Sequence, residues 1–159
     1  MTLAELIKNT NWASQALSLI GQIRTHLGDY ENGIQYLERA IALIQENHLD
    51  GVEDLQEIIL KVNNYEAVRL YEQAIAAARP ENVEEAIKVA KKAYEFQCSV
   101  NNKETQPATL CLLGHLLFAY NQPEEGLKNL YQALDIAKEL QDQDTIDQVQ
   151  VKITNFNVQ

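Results

Sequence analysis

Large apolar side chains recur three and four residues apart along most of the chain, which is the spacing of one face of a helix. Leu17 and Ile20 precede Gly21 on one such face, and Leu110 and Leu113 precede Gly114 in the same way. Leu70 precedes Ala74, although its companion there is the polar Gln73. Between the helical runs lie Leu27-Gly28-Asp29-Tyr30, Arg79-Pro80-Glu81-Asn82 and Tyr120-Asn121-Gln122-Pro123. Each of these segments holds Gly, Asn or Pro where a helix must stop or restart. The pattern predicts pairs of amphipathic helices joined by tight turns.

The small residues show that the pairs repeat. Gly21, Gly33 and Ala40 are spaced 12 and then 7 residues apart, and the spacing recurs in Ala74, Ala86, Ala93 and in Gly114, Gly126, Ala133. Gly and Ala make up only 23 of 159 residues, so three coincident frames mark an internal repeat. Leu37, Ala90 and Leu130 each follow the second small residue by one turn. A glycine inside a helix costs about 1 kcal/mol relative to alanine. Gly33 and Gly126 lie well inside their second helices, so a close approach of two helix backbones is expected to offset that cost.

These frames resemble the tetratricopeptide repeat family. The resemblance is carried by Leu19-Ile20-Gly21, the run from Leu27-Gly28-Asp29-Tyr30 to Gly33, and Tyr36-Leu37 with Ala40. Leu112-Leu113-Gly114 with Pro123-Glu124-Glu125-Gly126 and Tyr131-Gln132-Ala133 matches nearly as well, whereas the middle repeat is good only from Glu84-Glu85-Ala86 to Ala93-Tyr94. Arg24, where the family usually has an aromatic residue, and Gln73 are departures. The resemblance implies an all-α fold of about seven helices, a right-handed superhelix of antiparallel hairpins in one domain over 1–159. Its repeats fall at about 14–47, 67–100 and 107–140, with an inserted helical segment at 48–66 and a capping helix at about 143–156.

The insertion has two readings. Residues 52–79 form one long first helix bent near Asn63-Asn64, or Asn64-Tyr65-Glu66-Ala67 opens the second helix of a differently registered repeat. We adopt the long helix. At the end of the chain, Asp144-Thr145 is expected to cap a helix carrying Ile146, Val149, Ile153 and Phe156, because stacked repeats need a terminal cover. Thr2 and Glu5 have capping-box spacing, which predicts a short helical turn leading into the domain.

Composition narrows the function classes. Asp and Glu number 23 against 13 Lys and Arg, a formal charge of −10, which argues against nucleic acid and anionic membrane as partners. The apolar group near the N-terminus is too short for a signal-peptide core or a membrane span. Cys98 and Cys111 lack metal-ligand spacing and read as free thiols of a cytoplasmic protein. His26, His48 and His115 have no ligand spacing either, and no phosphate loop or nucleophile motif is present. The paired acids Glu84-Glu85 and Glu124-Glu125 sit at helix starts, where the helix dipole accounts for them. The expectation is a non-enzymatic chain with no cofactor and no metal.

In the family, side chains of the first helices line an inner groove that holds extended peptides or helices. Carried onto this sequence, the lining is Gln15, Ser18, Gln22, Thr25 and His26 in the first repeat. The second contributes Val68, Tyr71, Ile75, Ala78 and Arg79, and the third Ala108, Cys111, His115, Phe118 and Ala119. Only Arg79 is basic and none is acidic, so the carboxylate clamp of the family's chaperone-binding members is not expected. The candidate partner-binding residues are therefore Gln22, Tyr71, Ile75, Arg79, Cys111, His115 and Phe118. Tyr71, Ile75, Cys111 and Phe118 are expected to form an exposed apolar strip flanked by His115. That strip suits an adaptor or assembly factor holding a peptide or an amphipathic helix. The alternatives are a homo-oligomer built through the same strip, a peptide-sensing regulatory module, and burial of the strip beneath the C-terminal helix.

Overall fold

The computed structural model describes residues 3–157, with side chains from Asn9 to Phe156. Seven α-helices run through these residues, and no strand occurs among them: α1 (Leu3–His26), α2 (Tyr30–Glu46), α3 (Val52–Ala77), α4 (Val83–Ser99), α5 (Gln106–Ala119), α6 (Pro123–Glu139) and α7 (Gln143–Asn157). The fold class is all-α. α3 continues unbroken through Asn63 and Asn64, and a short 3₁₀ turn at Pro80–Asn82 leads into α4. α1 begins at Leu3 and enters the first hairpin as a single helix rather than through a separate turn. Thr2, half of the expected capping box, lies outside the described residues.

The chain divides into two compact units, residues 1–66 and 67–159. In the first, α1 packs along α2. Leu37, Ala40 and Ile44 of α2 meet Leu55 at the start of α3, with Leu17, Ile58 and Ile59 at the edge of this cluster. In the second, Ala74 of α3 joins Ala86 and Ala90 of α4 in one cluster with α5, α6 and α7. That cluster includes Leu110, Leu113, Leu117, Leu130, Val149 and Ile153.

The glycine frames are points of backbone contact. A Cβ placed on Gly21 would lie 2.8 Å from the Gly33 carbonyl oxygen and 2.8 Å from Leu37 Cγ. One on Gly114 would lie 3.1 Å from the Gly126 oxygen and 2.9 Å from Leu130 Cγ. The two hairpins thus use the same device at equivalent positions. Only a residue without a side chain lets α1 approach α2, and α5 approach α6, this closely.

Most helix ends share one stop signal. Gly28, His48, Asn101, Asn121 and Gln141 all have positive φ, between 52° and 83°. At each, two successive N–H groups turn back to the last carbonyls, as Gly28 does to Thr25 and Asp29 to Arg24 at 3.0 and 2.9 Å. This is the Schellman arrangement, which satisfies carbonyls that would otherwise lack partners. α3 ends differently, at Ala77 with Pro80 three residues on, because proline cannot donate into a continuing helix.

Candidate functional site

The groove expected from the first helices falls in two parts, one in each unit. In the second unit a pocket of about 280 Å³ is lined by Tyr71 from α3, by Pro107, Ala108, Cys111, Leu112 and His115 from α5, and by Thr145, Gln148, Val149 and Lys152 from α7. Tyr71, Cys111 and His115, all anticipated from the sequence, come together here. Helical spacing explains how: Cys111 and His115 are four residues apart on α5, so their side chains stack on one face.

His115 defines the polar chemistry. Its Nδ1 lies 2.9 Å from the carbonyl oxygen of Cys111. A carbonyl can only accept, so Nδ1 carries the proton and the neutral ring presents Nε2 as an acceptor. Burial pushes the His115 pKa down, the Cys111 carbonyl opposes this, and the Lys152 ammonium adds to the lowering. Burial also pushes up the Tyr71 hydroxyl and the Cys111 thiol. The pocket therefore offers a neutral imidazole, a phenol, one ammonium group and one carboxyl group, that of Glu104, on an apolar floor.

The expected strip is corrected in two places. Cys111 is only 9% exposed, so its thiol lies in the floor of the pocket rather than on open surface. Phe118 is half-buried, and its ring stacks on Phe156 of α7 with centroids 3.6 Å apart. Phe156 also lies against His115, at 5.1 Å between ring centres. The physical reason is α7, whose apolar side covers the end of α5. Phe118 has a second packing role, since a Cβ on Gly126 would come within 2.7 Å of its Cδ2.

Ile75 remains 48% exposed one turn beyond Tyr71 on α3, and Arg79 is exposed in the following turn. Neither lines the pocket. The lining is not free of acids either, because Glu104 of the α4–α5 loop contributes to it. The α7 residues lie outside the expected lining because the repeat pattern makes α7 a cover, and Glu104 because it lies between the repeat frames at 67–100 and 107–140. The signal was the position of α7 after α6, where a further first helix would stand.

In the first unit, Gln22 donates from Nε2 to Ser18 Oγ at 3.1 Å. With Gln15 and Ser18 it lines a depression of about 490 Å³ whose other wall is Asp50, Gly51, Asp54 and Ile58. Thr25 is buried at 7% exposure, yet with His26 it lines a second pocket of about 340 Å³ whose other side is Tyr30, Lys61, Val62 and Tyr65. Its methyl occupies the space over Gly33, where a Cβ would come within 2.4 Å, the role that Phe118 has over Gly126. Arg24, the departure from the family pattern, pairs with Asp29 at 2.6 Å and lies over the Tyr36 ring at 5.4 Å. The guanidinium thus supplies a flat group where an aromatic ring is usual.

Among the described residues no helix is long and apolar enough to cross a membrane, and no group of His, Cys, Asp and Glu could hold a metal ion. Cys98 and Cys111 are both free.

No curated protein matches the chain. A family model described as tetratricopeptide repeat matches residues 14–47, the stretch formed by most of α1 and all of α2. Residues 14–47 are therefore a tetratricopeptide repeat, and the seven-helix, hairpin-built chain around them is consistent with that family.

Proposed function

We propose that this chain is a non-enzymatic adaptor or assembly factor that holds a peptide or amphipathic helix in the second-unit groove. Tetratricopeptide repeats generally mediate protein–protein interaction and are typically not enzymes, which supports the coarse reading. The observation that carries the finer one is the convergence of Tyr71, Cys111 and His115 with Lys152 in one open pocket. Ile75 extends the apolar surface beside it. A segment bearing one large apolar side chain flanked by polar groups fits this lining. The apolar group would sit against Tyr71 and Leu112, and a carboxylate or carbonyl could accept from Lys152. We place this activity in the cytoplasm, in keeping with two free thiols.

The test is affinity capture from the native host with wild type and a Tyr71→Ala/Lys152→Glu variant, read by mass spectrometry. Loss of specific partners with an unchanged helical circular dichroism spectrum supports the groove. Retention of every partner by the folded variant contradicts it. Phe118→Ala is unsuitable for this purpose, because it disturbs the packing of α7 and α6 as well.

A further inference from the structure

The helix α1 is inside out. The residues that it buries fully against its own unit include Ser14, Gly21 and Thr25, all small or polar, with Leu17 half-buried beside them. Five large apolar ones are exposed: Trp12 is 63% exposed, Ile20 40%, Ile23 51% and Leu27 80%, with Leu19, 59% exposed, at the rim of the depression that Gln22 lines. At about 100° per residue these five fall within an arc of about 100°, so they form one continuous stripe.

The third hairpin shows what such a stripe is for. Gly114 is the counterpart of Gly21, so Ile20 and Ile23 correspond to Leu113 and Leu116 of α5. Leu113 is 2% and Leu116 7% exposed, because α4 packs along α5. Gln97 of α4 even bonds, at 2.8 Å, to Thr109, the counterpart of Ala16. The face that carries a helix in α5 carries none of the described residues in α1.

We propose that a second copy of this chain covers it, by two-fold packing of α1 against α1. Three observations select that occupant. First, residues 9–23 contain no Asp, Glu, Lys or Arg, and the charges beside the stripe's end, Arg24 and Asp29, already pair with each other at 2.6 Å, so two chains of charge −10 can meet there without burying an unpaired charge. Second, the five side chains of the stripe, 40–80% exposed, present about 600 Å² per copy, so a pair buries at most about 1,200 Å², the lower end of stable interfaces. Third, the outward face of α7 is mostly polar, with Asp147, Gln150, Thr154 and Asn155 around Val151. Head-to-tail stacking of α1 on α7 would bury the Asp147 carboxylate and the Gln150 and Asn155 amides against apolar side chains, whereas α1 on α1 matches apolar with apolar and closes on itself. This interface does not involve the pocket of the second unit and stands independently of its proposed role.

Sedimentation equilibrium across a concentration series, with Trp12 fluorescence on the same samples, tests the proposal. Trp12 is the only tryptophan, so its emission reports on this face alone. The expected species has twice the 18.0 kDa mass of one chain, and the Trp12 emission moves to shorter wavelength as the dimer forms. Added salt tightens the dimer by screening the like charges. Leu19→Glu/Ile23→Glu weakens it at least about a hundredfold, and Leu27→Lys also weakens it, so the sign of the new charge is not the cause. All these positions are exposed, and circular dichroism confirms that the variants fold. A wild type that stays monomeric throughout overturns the proposal. So does a dimer whose Trp12 emission does not move, or one that persists in the folded Leu19→Glu/Ile23→Glu variant.

Discussion

Phe118 of α5 stacks on Phe156 of α7, ring centre to ring centre at 3.6 Å, and the same Phe118 ring leaves no room for a Cβ on Gly126 of α6. One side chain thereby locks three helices at one end of the second unit. A residue that the repeat pattern offers to a partner is used instead to seat the last helix. The pocket is left to the stretch of α5 before it, around Cys111 and His115.

Removal of that lock should loosen α7. Phe156→Ala loses an aromatic stack and part of a half-buried ring, and should lower the unfolding free energy by about 2 kcal/mol. The local effect is checked through Cys111, which lies in the floor of the pocket beside α7. In a Cys98→Ser background, the rate at which Cys111 reacts with a thiol reagent should rise. An unchanged rate would mean that α7 stays seated without the stack.

The glycine frames predict opposite consequences from one substitution at different places. Gly21→Ala and Gly126→Ala improve helix propensity by about 1 kcal/mol. They also place a methyl 2.8 Å from the Gly33 oxygen and 2.9 Å from the Gly114 oxygen, where backbone must move. The net effect should be a loss of about 1–3 kcal/mol in denaturant unfolding. Gly28→Ala meets nothing within 4 Å, so its cost arises only from φ of 83° and should be about 1 kcal/mol.

Four helix ends bear the same backbone strain without glycine. His48→Gly at φ 52° and Gln141→Gly at φ 57° should each raise stability by about 0.5–1 kcal/mol. Thermal unfolding of the single and double variants checks this, and the two increments should add because the sites lie on separate turns.

Acid should weaken the start of α7. Asp142 caps this helix, accepting from the Thr145 N–H at 3.1 Å and from the Thr145 hydroxyl. The Thr145 side chain and then its N–H hold the Asp142 carboxyl below its usual range. A group lowered in the folded state stabilises above its unfolded pKa, about 3.9 for Asp. Its contribution therefore drains as pH falls from about 4 through the lower folded value. Asp142→Ala should lower the melting temperature at neutral pH, and the gap to wild type should close on the acid side.

The legible parts of the molecule were those with strict local rules. The turns at Gly28 and Asn121 follow from stop signals, whereas the long reach of α3 is one of two readings that periodicity allows and the helical last segment rests on the need of stacked repeats for a terminal cover. The helix N-terminus at residue 143 was harder, because Asp142 and Asp144 are both competent caps and only geometry separates them. The groove was partly legible. Tyr71, Cys111 and His115 fall on the right faces, but burial depends on the neighbour. The stacking of Phe118 under Phe156 requires the docking of two helices 38 residues apart in sequence. The outward stripe of α1 was hidden for a related reason, since Leu17 and Ile20 flank a face whose buried centre is Gly21, while the larger residues turn away.

The central claim, that the second-unit groove receives a protein segment, is tested most directly by amide chemical shifts. The labelled chain would be titrated with a synthetic peptide covering the segment recovered by capture. Shifts confined to Tyr71, Cys111, His115, Gln148 and Lys152 and their neighbours are predicted, and they should vanish in Tyr71→Ala/Lys152→Glu. Shifts centred on α1, or on α2 and the outer faces of α4 and α6 with the groove silent, would contradict the account.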